Sequence, residues 1–298
     1  MAENPFDKAS RYAAKIDPSG FLRWVLDLPP DAFAFRSWLD TRGLPFPGDP
    51  DRVSDTVVRL DDPAAGGQPW AIAIEFQTEP DALMFGRLLE YLGQLWRTTK
   101  PDAEKGSRFH VGAVVVNLSG TGLASRDMRW AGLATKVQVV ERNLASESAD
   151  ELLGAIERGE HSRALLPWIP LMTGADEAGM IERWKRAGEA EPDDRQRSSL
   201  AGLAKVFAEA AGRKELWVKQ LEGWNMKVST VVEEWRLEGE VRGLVAGVLG
   251  VLEAKFGGVP PELADAIRPT TDAAQLRSWL IAASRAGDLA EFRSSAGV

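Results

Sequence analysis

Residues 109–118, FHVGAVVVNL, constrain the fold of this chain more than any other stretch. A nearly unbroken apolar run of strand length, followed by Ser and Gly, reads as a central strand buried on both faces. Its neighbours are legible upstream. Val53–Leu60 (VSDTVVRL) and Trp70–Gln77 (WAIAIEFQ) are short, rich in Val and Ile, and bounded by Pro, Gly and Asp clusters. The connection between them, DDPAAGGQP, suits a hairpin. Residues 33–41 (FAFRSWLDT) alternate as a first strand with Phe33, Phe35 and Ser37 on one side, and residues 136–141 (KVQVVE) read as a further alternating strand.

Helices fill the gaps. Residues 4–28 read as two helical pieces broken at Asp17-Pro18, with Asp17 and Ser19 as caps for the second. After Gln77 comes TEPDALMFGRLLEYLGQLWRTTK, where Thr78 and Asp81 are spaced as a capping box. Met84, Leu88, Leu92 and Leu95 form an apolar stripe, and Arg87, Tyr91 and Gln94 a neighbouring one. The resulting order is helix–strand–strand–strand–helix–strand, plus one extra strand: an α/β domain. From about residue 143 the chain turns helical, with the proline-containing buried turn LLPWIPLMTGA and then charge-laced amphipathic segments. A long apolar-striped helix is stopped by Gly257-Gly258 and Pro260-Pro261, and two helices close the chain.

Composition narrows the chemistry. Cysteine is absent and only His110 and His161 are present, so a metal must be held by oxygen ligands. His110 reads as a capped or core histidine, and neither histidine has the context of a Ser-His-Asp hydrolase. The GTG after residue 119 is no phosphate-binding loop, because GxxxxGK[ST] is missing. No apolar run approaches the roughly 20 residues that span a bilayer, and MAENPFDKASRY carries no apolar signal core. A soluble cytoplasmic protein with no membrane partner is the expectation. The eleven Trp are expected mostly in cores, Trp24, Trp96, Trp235 and Trp279 among them. The net charge of −8 is uneven: residues 87–142 carry nine basic and five acidic side chains, the one positive window of the chain. A phosphate-tracking surface would have that character.

If the hairpin is centred on its loop, Asp55 falls opposite Glu75. Opposed side chains on neighbouring strands lie about 5 Å apart, close enough to share a divalent cation. Gln77 projects from the same sheet face as Glu75. An exposed edge hairpin with solvated acids would produce the same pattern. Arg87 and Tyr91 could face the two carboxylates from the following helix; equally, Arg87 could run out past Glu90 while Tyr91 is buried with its hydroxyl satisfied.

The pattern D-x-V-x-R-L, a strand ending E-F-Q, and R-L-L-x-Y on the next helix resembles the recombination-promoting nuclease/transposase family of the PD-(D/E)XK nuclease superfamily. The similarity runs over roughly residues 5–145. It implies a restriction-endonuclease-like core, a mixed sheet flanked by helices, at residues 1–145. A helical extension at 146–227 and an all-helical C-terminal module of unknown function at 228–298 would follow. The module's match rests on E-G-E, L-x-x-K-F-G and Q-L-x-x-W-L-x-x-A-x-x-A. It further implies a DNA endonuclease dependent on Mg²⁺ or Mn²⁺, in a recombination- or transposon-related setting. Asp55 and Glu75 would be metal ligands, and Gln77, Arg87 and Tyr91 would complete the catalytic set. DNA would be the partner, and the C-terminal helices leave room for a homo-oligomer. Asp7 is the nearest match to the family's opening acidic residue, and it reads equally well as a solvated turn residue. Gln77 stands where the superfamily usually has Lys, so a nuclease fold kept as a DNA-binding or protein-interaction module is the alternative.

Overall fold

A computed structural model describes residues 4–39, 45–46, 49–53, 56–61, 68–101, 107–224 and 230–297. The chain divides into two compact units, Glu3–Lys227 and Val228–Val298.

The first unit opens with helices α1 (Pro5–Ile16) and α2 (Pro18–Leu26). Asn4 caps α1, and Asp17 both ends α1 and caps α2, its carboxylate accepting from the Gly20 amide at 2.9 Å. Strands β1 (Ala34–Leu39), β2 (Pro45–Phe46), β3 (Asp49–Val53), β4 (Thr56–Asp61) and β5 (Trp70–Gln77) precede helix α3 (Met84–Thr98). Then come β6 (His110–Asn117), β7 (Arg126–Trp130), β8 (Leu133–Val137) and β9 (Val140–Asn143). The main sheet has the order β1-β4-β5-β6-β9. The first three of these strands pair antiparallel, and β5, β6 and β9 run parallel. It is a mixed α/β architecture in which β6, the continuous apolar run, lies between two parallel neighbours. Val114 and Val116 are fully buried there.

Two expected strands are built differently. A bulge between Phe35 and Ser37 breaks the alternation of β1 and leaves Arg36 and Ser37 exposed. Residues 136–141 are not one strand. Gln138 and Val139 separate β8, which pairs with β7 in a two-stranded hairpin of its own, from β9, which joins the main sheet. The Ser125 hydroxyl makes that break, accepting from the Val139 amide at 3.0 Å. The hairpin turns through Ala131 and Gly132, both left-handed (φ 46° and 83°), the geometry that suits a two-residue turn.

Each face of the main sheet has its own cover. Ala71, Ala73, Ala113 and Val115 form a flat surface for Met84, Leu88, Tyr91 and Leu95 of α3. The small side chains on β5 let the helix approach. On the other face Phe76 meets Phe21 and Trp168, with ring centroids 6.1 and 5.9 Å apart. Trp168 lies in the buried 3₁₀ segment Arg163–Leu171 and stacks at 4.8 Å on Phe207 of the helix Asp194–Ala210. The helices between residues 149 and 220 therefore complete the core beneath the sheet and belong to the same compact unit. Trp96, expected in a core, is half exposed (50 %) because its position on α3 turns away from the sheet.

In the second unit, helices Thr230–Phe256, Pro261–Ile267, Ala273–Arg285 and Leu289–Ala296 enclose Leu252, Ile267, Leu276, Trp279 and Phe292. Gly257 (φ 76°) ends the first of them. Lys255 Nζ donates to the carbonyls of Ser284 and Ala286 at 2.8 and 2.7 Å, capping the third helix where its carbonyls and dipole favour a cation. The side chain of Trp235 lies outside the described residues. Among the described residues no helix is long and apolar enough to cross a membrane.

Candidate active site

Glu75 follows Ala71 and Ala73 on the α3 side of β5 and is 3 % exposed. A carboxylate so far from water needs a countercharge. Residues 78–83 supply the means. Asp81 folds them into a turn: its Oδ1 accepts from the Leu83 amide at 2.8 Å and its carbonyl from the Met84 amide at 3.1 Å. That turn delays α3 to Met84 and leaves the second oxygen of Asp81 for Arg87. Arg87 Nη1 donates to Asp81 Oδ2 at 2.8 Å, and Nη2 reaches Glu75 Oε2 at 3.4 Å. One guanidinium thus bridges two carboxylates, and its own side chain is 16 % exposed. Its Nε is buried with no hydrogen-bond partner among the described residues.

Of the residues singled out from sequence, Glu75 and Arg87 come together directly. Tyr91 lies one turn further along α3, buried in the cluster over Ala73 and Val115. Gln77 is half-buried at the end of β5, level with Asn117 on β6. Asp55 lies outside the described residues. The described strands β4 and β5 pair as a hairpin, with Thr56 opposite Ile74, Val57 opposite Ala73, and Leu60 opposite Trp70. The edge-hairpin reading fails, because β5 is the central strand of the sheet and Glu75 is buried. So does the capping box. Thr78 is occupied elsewhere, its Oγ1 accepting from Asn4 Nδ2 at 2.8 Å, and α3 starts without a side-chain cap. Asp7 is no solvated turn residue; it is half-buried in the first turn of α1. His110 is exposed against the Trp70 ring (5.1 Å between centroids), neither capped nor in a core.

Asp81 is the residue that reading the sequence missed. Its capping spacing from Thr78 looked sufficient. The clue lay in Glu79-Pro80-Asp81, a turn-forming run that favours a local Asp–backbone bond over early helix entry.

A second polar corner lies across β6. Asn117, 1 % exposed, donates through Nδ2 to Glu141 Oε1 at 2.9 Å and to Asn143 Oδ1 at 2.8 Å. Glu141 Oε2 accepts from the Ala124 amide at 2.9 Å, and Asn143 Oδ1 also accepts from the Gly122 amide at 2.8 Å. A Cβ on Gly122 would collide with Glu141 and Asn117, so the loop can approach only there as glycine. Every contact in this corner stays within the protein and pins the loop to the sheet edge.

The donors around Glu75 suit a hard divalent cation in kind: carboxylate oxygens from Glu75 and Asp81 and the amide oxygen of Gln77. They do not suffice in number. Among the described residues no group of three or more His, Cys, Asp or Glu could hold a metal ion. The cation beside Glu75 is the guanidinium of Arg87. No protein-family model matches the chain, and neither a curated protein nor a solved structure matches it at a significant level.

Proposed function

We propose that this chain is a Mg²⁺- or Mn²⁺-dependent DNA endonuclease of the PD-(D/E)XK type, its site built from Asp55, Glu75, Gln77, Arg87 and Tyr91, with Asp81 as an added member. The observation that carries the reading is the burial of Glu75 in the centre of a mixed sheet, beside an arginine shared with Asp81. A buried carboxylate must be paired or bound to a metal, and clusters of this kind recur at functional sites. The element order supports the reading: paired helices, three antiparallel strands, a helix, then a parallel strand. The antiparallel pairing of β4 with β5, Thr56 opposite Ile74, adds support.

Asp55 and Glu75 would hold the cation, and the chemistry such an ion supplies is Lewis-acid polarisation of a phosphodiester. The protein's own part falls to three residues. Arg87 would supply the positive charge beside Glu75 that stabilises charge developing on a phosphate. Asp81 holds the guanidinium when Glu75 is otherwise engaged. Gln77 hydrogen-bonds water or phosphate at the strand end without adding positive charge.

A second reading rests on Gln77 and on the guanidinium beside Glu75: a nuclease fold kept as a DNA-binding module. Gln77→Lys separates the two. In an active enzyme it retains or raises Mg²⁺-dependent cleavage of duplex DNA. If wild type and Gln77→Lys are both inert on duplex and single strands, yet wild type binds DNA with salt-sensitive affinity, the binding module stands instead.

A further inference from the structure

Apart from Val137 at its foot, the β7–β8 hairpin stands clear of the core of the sheet. It stands on a rigid base: Ala124 and Gly122 are pinned to Glu141 and Asn143, and Ser125 to Val139. At its root Arg126 lies 5.7 Å over the ring of Phe85, two residues from Arg87 on the first turn of α3. Beyond the root every residue is exposed up to Val137. Register divides the ribbon into two faces. One carries Arg126, Met128, Trp130, Leu133 and Thr135; the other Asp127, Arg129, Ala134 and Lys136. Trp130 and Leu133 flank the turn at 77 % and 67 % exposure. The ribbon has three cations against one acid, inside the positive stretch of an otherwise acidic chain; the acid, Asp127, pairs with Arg129, its two oxygens accepting from Nε and Nη2 at 2.9 Å.

We infer that this hairpin is a DNA-binding arm that enters a groove of duplex DNA, with Arg129 and Lys136 meeting phosphates and Trp130 wedged at a base step. The inference rests on the nuclease reading for its choice of polyanion. Two strands are about 10 Å across, which fits a major groove about 12 Å wide. Charge complementarity points the same way, since basic side chains supply affinity for phosphates and an exposed apolar wedge can unstack a step. With Arg126 beside Phe85, DNA seated on the arm would lie near the first turn of α3.

The test is fluorescence anisotropy of a labelled duplex titrated with the full chain across a salt series. Wild type is compared with the triple variant Arg126→Ala/Arg129→Ala/Lys136→Ala and with Trp130→Ala. Circular dichroism establishes that each is folded, and Lys136→Glu is the single-site alternative should the triple variant unfold. The triple variant is expected to weaken binding about tenfold or more and to flatten the salt slope by about 2 to 3, near 0.9 per phosphate contact. Trp130→Ala is expected to weaken it about tenfold, the scale of one lost stacking contact. Unchanged affinity and slope in the triple variant would overturn the inference, as would wild type that binds no duplex. A Trp130→Ala protein that loses a dimer on a sizing column while binding DNA like wild type would assign the arm to a protein partner and overturn it too. Cleavage is scored separately. An inactive protein that binds DNA through the arm keeps this inference and removes the nuclease; an active one that binds without the arm does the reverse.

Discussion

Glu75 and Glu141 stand on the strands either side of Val115, on one face of one sheet, and are stabilised by different chemistry. Glu141 is met by neutral donors, the amide side chain of Asn117 and the backbone of Ala124. Those bonds tie a loop to an edge, and both carboxylate oxygens are spent on them. Glu75 is met by a guanidinium at the long distance of 3.4 Å, and that guanidinium is held more closely by Asp81. A carboxylate saturated by fixed neutral donors is architecture. One that shares its cation with a second carboxylate, as Glu75 does with Asp81, is the candidate for chemistry. The difference between the two corners is the reason for placing the site at Glu75.

The largest expected effect breaks the Glu75 corner from its cation side. Arg87→Met leaves Glu75 buried without its guanidinium and should cost about 3 kcal/mol in urea unfolding, the lower end for breaking a buried pair. A loss under about 1 kcal/mol would mean that Glu75 is stabilised by other groups. Next, Glu75→Gln keeps an oxygen that can accept from Arg87. Unfolding free energy should then move by less than about 1 kcal/mol, while cleavage falls on the order of 10²-fold or more, as for losing one electrostatic contributor to a transition state. Glu141→Gln should do the opposite. Its amide must face either Asn117 Nδ2 or the Ala124 amide with a second donor. That should cost about 1–3 kcal/mol in stability and leave cleavage per folded molecule unchanged. If both variants lose activity equally, the contrast between the corners is void.

Much of this was legible in the sequence. The continuous apolar run at residues 109–118 placed a central strand, because a buried strand tolerates few alternatives. The turn composition of DDPAAGGQP carried the β4–β5 pairing. Arg87 and Glu75, singled out together from the sequence, are in contact. The misses share a cause. Asp81 and Ser125 act through bonds to nearby backbone, which end or delay elements without changing the hydrophobic pattern. The bulge at Phe35–Ser37 and the break at Gln138-Val139 likewise leave composition intact while moving every later side chain to another face. The pairing of Glu141 with Asn117, 24 residues away, has no local trace at all.

The smallest expected effect concerns acid. Burial pushes the His161 imidazole below its ordinary value. The folded state thus favours the neutral ring: its contribution is present above about pH 6.5 and is lost as the pH falls through the depressed folded value. His161→Gln should flatten the pH dependence of stability between pH 7 and 5 relative to wild type, measured by thermal unfolding. It should leave the contrast between Glu75 and Glu141 untouched. A pH profile of stability unchanged by the substitution would contradict that account.

The most direct measurement of the central claim is nicking of supercoiled plasmid by the full chain in Mg²⁺ or Mn²⁺, comparing wild type with Asp55→Ala, Glu75→Ala and Glu141→Gln. The account predicts metal-dependent nicking by wild type and by Glu141→Gln, and none by Asp55→Ala or Glu75→Ala. Nicking that survives both alanine substitutions would place the chemistry elsewhere in the chain and contradict it.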